Sequence, residues 1–232
     1  MTNISKIFRG IAGQLKTFDI RSFSLKGLDR SKLLVPFGLI RHPIETFNDM
    51  KYEGRSSLGV ANLILFVYFL EEMLNFTLTG YLFTNNSSED LSIIAVFAKT
   101  VLLVLLWTVC NWATCTLLEG EGTFKQIWIA TCYSLIPLVI MSLPISLVSN
   151  FFSVSEASFY NTFTLIMQGW FIILLFLGMM VTHQFTAAKT FGSAVLTLAM
   201  IAIAAFFVLL FVSIAQQLMA FLNTIFTELS IR

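Results

Sequence analysis

Charge is what this sequence has least of. Only 12% of its 232 residues are Asp, Glu, Lys or Arg, while 57% are apolar; a soluble domain carries roughly 25% charged residues. That shortage excludes a water-solvated globule, because too little polar surface exists to cover one. Histidine is scarce as well. His42 and His183 have no carboxylate or cysteine partners at ligand spacing, which excludes a zinc-protease helix. A nucleophile elbow is missing, and so is a phosphate-binding glycine loop: the "EGEG" at 119–122 lacks both the lysine and the spacing. The three cysteines, Cys110, Cys115 and Cys132, are odd in number, match no metal motif and fall in apolar stretches. They are expected to be small membrane-helix residues and not a disulfide or redox set. The sequence therefore predicts no catalytic set, no metal and no cofactor. Nucleic acid is not an expected partner, since the basic residues lack a compact reading fold.

What is present is apolar length. Five segments, about 58–83, 91–118, 127–150, 159–181 and 191–222, are each long enough to cross a bilayer. Polar breaks separate them at 84–90, 119–126, 153–158 and 182–190. The predicted fold class is all-α: a polytopic membrane protein with a bundle of five transmembrane helices and an N-terminal cytoplasmic interfacial helix. No stretch before residue 58 has the apolar core of a signal peptide, so the tail is expected to stay in the mature protein.

Lys and Arg set the orientation. Ten of the 14 lie in the tail 1–57, and Lys125 and Lys189 lie in the second and fourth breaks; the first and third breaks have none. Five spans place every positive loop on one side. The N-terminus is then cytoplasmic and the C-terminus extracytoplasmic.

Within the tail, Ile4, Ile7, Phe8, Ile11, Leu15 and Phe18 recur at helical spacing among Lys6, Arg9 and Lys16. That pattern fits a basic amphipathic helix on anionic membrane lipid or on a partner, although a mobile tail has the same composition. Residues 1–34 form this tail and a linker. Residues 35–57 form an interfacial helix begun near Pro43, with Phe37, Ile40, Ile44, Phe47 and Met50 on one side. The transmembrane domain occupies 58–226, and 227–232 is a short C-terminal tail.

The first span holds the main anomaly, two adjacent acids in "FVYFLEEMLNF" (66–76). Tyr68, Glu71, Glu72, Asn75 and Thr79 share one face at spacings of three and four. Each acid costs about 2.5–3.5 kcal/mol near mid-span, while strongly apolar residues return about 0.3–0.6 kcal/mol apiece. Span one is therefore marginal alone and needs neighbours, protonation or both, and its polar face is expected to point into the bundle or a wet cavity. Lys99, in span two, lies at a similar depth and is expected to pair with Glu72 or Glu71, leaving the surplus acid neutral or solvated. A helix-locking ion pair, a proton or cation site, and acids snorkelling from a lipid-facing position are all open. Asn161, Thr164 and Gln168, on the outer half of span four, are placed to meet the same stripe. Asn111, between Trp107 and Trp112, is an interhelical hydrogen-bonder. In span three, Pro137 and Pro144 each free a carbonyl four residues back, with Ser134 and Ser142 at hand. Gly192, Ser193 and Thr197 suit close packing of span five.

The stretch "TCTLLEGEGTFKQIWIATCYSLIP" (114–137) resembles the Yip1 domain family. "LIRHPIETFNDMKYEGRSSL" (39–58) and "MVTHQFTAAKT" (180–190) are similar to its bacterial branch in particular, and no acidic motif of the "DLYGP" type precedes span one. The resemblance covers roughly 35–225. It implies a five-span, non-enzymatic protein of the bacterial cell membrane that binds other membrane proteins, with an ABC-type transporter among the possible partners. It marks Gly120, Gly122, Phe124, Lys125, Tyr133 and Pro137. The glycines would permit a tight turn, Phe124 would anchor it, Lys125 would meet headgroups or Glu119 or Glu121, and Tyr133 and Pro137 would shape a kink. That loop with His42, His183 and Lys189 forms the expected docking face. The opposing expectation is a small transporter, channel or lipid-handling protein with a polar cavity around Glu71, Glu72 and Lys99.

Overall fold

The computed structural model describes residues 30–79 and 92–231. The proposed amphipathic helix at 4–18 and the break at 84–90 lie outside them. Among the described residues the chain is all-helical. Helices α1 (Arg30–Arg41) and α2 (Pro43–Tyr52) precede the bundle, followed by α3 (Leu58–Leu78), α4 (Ile93–Leu117), α5 (Phe124–Ser134), α6 (Ile136–Ser149), α7 (Ala157–His183) and α8 (Ala187–Ile231). Among the described residues five spans are long and apolar enough to cross a membrane, with α5 and α6 together making the third.

Local sequence explains the boundaries. Ser57 and Ser92 accept from backbone N–H groups at the starts of α3 and α4. Thr123 and Gln126 form a reciprocal capping box at the start of α5. Gln184 closes α7 in the left-handed region, at φ 55°. A helix begins at Pro43 as expected, but it ends at Tyr52, and α1 precedes it over Arg30–Arg41 with His42 non-helical between the two. Phe47 and Met50 are buried, whereas Phe37, Ile40 and Ile44 are exposed, so the predicted apolar face is split.

Span three is the hub. It breaks at Leu135, where Pro137 opens α6, while Pro144 stays inside that helix. Every residue from 131 to 138 is buried. Its two halves pack against α3, α4 and α7, whereas α8 rests mainly on α4. The expected help from serines takes another form: Ser134 donates to the Ala130 carbonyl, and Ser142 faces α3.

Helix α8 has 45 residues. At 1.5 Å per residue that is about 67 Å, against a hydrocarbon layer of roughly 30 Å. Only its first turns are held, through buried Thr190, Ser193 and Thr197.

Candidate functional site

Two polar regions stand out, one inside the bundle and one at the end where α1, α2 and the turns at 118–123 and 184–186 gather. The second carries Lys51, Arg55, Lys125 and Lys189 among Asp49, Glu53, Glu119 and Glu121, with Arg55 paired to Glu53 at 2.7 Å and to Asp49 at 3.2 Å; it is called the basic face below for its lysines.

Inside the bundle, the first span turns its polar stripe to the third. Glu71 is 2% exposed. Neither of its carboxylate oxygens makes a well-formed hydrogen bond, though the Ser142 side chain and the Leu143 backbone lie alongside. Asn75 donates to Ser142 and accepts from Ser146 at 2.5 Å. Thr79 donates to Ser146 at 3.4 Å, and Asn150 donates to the Leu78 carbonyl at 2.7 Å. Nearer the basic face the Trp128 indole donates to Asn62 at 3.0 Å. The two helices are thus joined by polar contacts along their length. In a bilayer such contacts, with close packing, supply what the hydrophobic effect does not.

This pairing corrects the expected one. Among the described residues no ion pair joins Lys99 to either acid within 4.0 Å. Glu71 is sequestered against α6, and Lys99 is exposed on α4. Asn161 and Gln168 are exposed too, because α7 turns Met167 and Leu174 inward instead. Glu72 is half-buried and, with Tyr68 and Lys99, lines a cavity of about 340 Å³ between spans one to four. Its other walls include Thr100, Leu103, Val104, Trp107, Leu138 and Leu175.

At the basic face, the glycines of the "EGEG" turn have a steric reason. Glu119 takes φ 59°, which reverses the chain. A Cβ on Gly120 would lie 2.7 Å from His183 Nδ1, and one on Gly122 would lie 2.7 Å from the same ring. Only glycine lets the turn close over that imidazole. His183 is 2% exposed, and its Nε2 lies 3.0 Å from Asn111 Oδ1. That buries a residue expected on the docking face: His183 is a packing element there, stacked on Phe185. His42 and Lys189 are exposed, with His42 3.9 Å from Glu45 and Lys189 over the Phe185 ring. Asn111 also donates to Thr197 at 3.3 Å, so one amide ties spans two, four and five.

The expected loop roles are redistributed. Lys51, not Lys125, takes Glu121, at 3.7 Å. The Lys51 ammonium also donates to the Thr182 and Val181 carbonyls at 3.0 and 3.3 Å, capping the C-terminus of α7. Burial pulls its pKa below the usual lysine value, and the Glu121 carboxylate opposes that. Phe47 packs on Gly178, where a Cβ would come within 2.9 Å of its ring. Phe124 meets Trp112 edge-on. Tyr133 and Pro137 are fully buried. Lys125 stays exposed beside a cleft of about 520 Å³, lined also by Lys51, Ser56, Thr123 and Gln126.

Sequence reasoning missed the serine face of span three and the cap made by Lys51. Ser142, Ser146 and Ser149, spaced four and three apart, were a visible signal for the first. Nothing local signals the second, because its acceptors lie about 130 residues downstream.

Among the described residues no cluster of His, Cys, Asp or Glu could hold a metal ion. Residues 37–226 match the Yip1 domain. No curated protein and no solved structure matches the chain.

Proposed function

The chain belongs to the Yip1 domain family, and on that premise we propose that it is a non-enzymatic membrane adaptor whose basic face receives another membrane protein. The observation that carries this reading is the build of that face. Helix α2 is fastened to the bundle by Lys51 on the α7 carbonyls and by Phe47 over Gly178. The polar cleft beside Lys51 and Lys125 is left open next to it. Ile44, Tyr52 and Lys189 are exposed around it. A fixed, partly apolar platform that leaves Lys125 and Lys189 exposed suits an acidic, membrane-bound partner such as a transporter subunit.

In this reading the basic face is cytoplasmic and the C-terminus extracytoplasmic, in a bacterial cell membrane, with the basic tail on anionic lipid. The grouping of Lys51, Arg55, Lys125 and Lys189 at one end supports that orientation. Thiol labelling of single cysteines at Thr123 and Asn150 in whole cells tests it: only Asn150→Cys should react with an impermeant reagent. A photo-crosslinker at Ile44 or Tyr52 tests the adaptor role. The expected product is a defined protein adduct that is lost when Gly178→Leu displaces α2; adducts with lipid alone would contradict it.

A second reading is favoured by the cavity at Glu72 and Lys99. In it the bundle accommodates a small amphiphile within the membrane.

A further inference from the structure

The cavity between spans one to four holds two opposite charges that do not neutralise one another. Glu72 on α3 and Lys99 on α4 both line it, and no ion pair forms between them. Glu72 lies six residues before Leu78, where α3 ends, and Lys99 six residues after Ile93, where α4 begins. Both helix ends are on the side away from the basic face. Each charge is therefore about 9 Å along its axis from that end, so the two stand at one level. Tyr68 and Thr100 add hydroxyls nearby. Deeper along α4 the wall turns apolar, through Leu103, Val104 and Trp107, facing Leu135, Leu138 and Leu175.

The volume decides between water and a larger occupant. About 340 Å³ is some tenfold a water's share of liquid, roughly 30 Å³. It also reaches the range of about 300–1,000 Å³ typical of ligand sites. Lys99 lines the cavity and is exposed, so the cavity is not sealed on that side. Charges at one level and an apolar wall running inward reproduce the polarity of one leaflet.

Resting on the second reading above, we propose that this cavity holds a phospholipid whose headgroup joins a phosphate to a primary amine. The phosphate pairs with Lys99, the ammonium pairs with Glu72, and one acyl chain lies along Leu103, Leu135 and Leu175. Both ligand charges are then matched by hydrogen-bonding groups of the protein. An anionic lipid without an amine leaves Glu72 unmatched, and a quaternary amine offers it no N–H.

The test is lipid retention by the full chain. The protein is exchanged into equal amounts of phosphatidylethanolamine, phosphatidylcholine and phosphatidylglycerol, purified, and weighed by native mass spectrometry. At least tenfold preferential retention of phosphatidylethanolamine is expected. Glu72→Gln should erase its preference over phosphatidylglycerol, and Lys99→Met should lower retention of both. Leu175→Trp, which fills the cavity and leaves both charges, should abolish retention; it keeps the test decisive if a charge variant fails to fold. Soluble phosphoethanolamine should not compete, and displacement by it would assign the site to a free headgroup and overturn the lipid assignment. Retention of phosphatidylglycerol or phosphatidylcholine by the unaltered chain equal to that of phosphatidylethanolamine, and abolished by Leu175→Trp, would overturn the primary-amine assignment and leave the cavity reading standing. Equal retention of all three, unchanged by Leu175→Trp, would overturn both.

Discussion

Spans three and five make opposite use of the same membrane. Of the most apolar stretch of span three, 56% is buried in the protein, against 6% for span five. Yet span five is the more continuously apolar, and span three carries the serines, the prolines and Tyr133. In water the apolar helix would be the core. In lipid an apolar helix is already solvated, so burial goes to the helix with polar groups to satisfy and small residues to approach. That is why Glu71, Asn75, Thr79 and Asn62 face span three, and why Phe206, Phe207 and Leu209 face outward.

The difference can be broken from its strong side first. Tyr133→Ala, at the hub, should cost about 3–5 kcal/mol, the range for truncating a large buried aromatic, read by reversible unfolding in detergent or by steric trapping. A loss under 1 kcal/mol would remove span three from the centre. Gly122→Val should cost about 1–3 kcal/mol by overpacking against His183. It should lose most of its effect in a His183→Ala background, because the two shortest contacts are with that ring and only a 3.0 Å contact with Thr182 would remain. A smaller effect is expected between spans one and three. Asn75→Ala and Ser146→Ala should couple by about 0.6–1.7 kcal/mol in a double-mutant cycle; additive losses would mean the hydrogen bond contributes nothing. At the weak end, Phe207→Leu, on the exposed side of span five, should shift stability by no more than about 0.5 kcal/mol. A large loss there would mean that α8 is covered by another protein chain.

Span number and fold class were legible in the sequence because they depend on local apolar length. So was the inward turn of Glu71 and Asn75, since a periodic polar stripe has one direction to go. The partner of that stripe was not. Adjacency in sequence suggested span two and Lys99, whereas α3 pairs with α6 across 67 residues, through Asn75 and Ser142. Proximity along the chain outweighed the serine face of span three, which carried equal polar signal in a helix otherwise rich in Ile and Leu. His183 misled for a related reason. A histidine next to a polar break looks exposed until Gly120 and Gly122 are seen to fold over it. Tertiary closure of that kind leaves no local periodicity to read.

The most direct measurement is disulfide crosslinking in native membranes, with Asn75→Cys paired in turn with Ser146→Cys and with Lys99→Cys, in a background where Cys110, Cys115 and Cys132 are serine. Rapid oxidation of the 75–146 pair and none of the 75–99 pair is expected. The reverse outcome would set span one against span two and contradict the arrangement of the bundle on which the cavity and the basic face both depend.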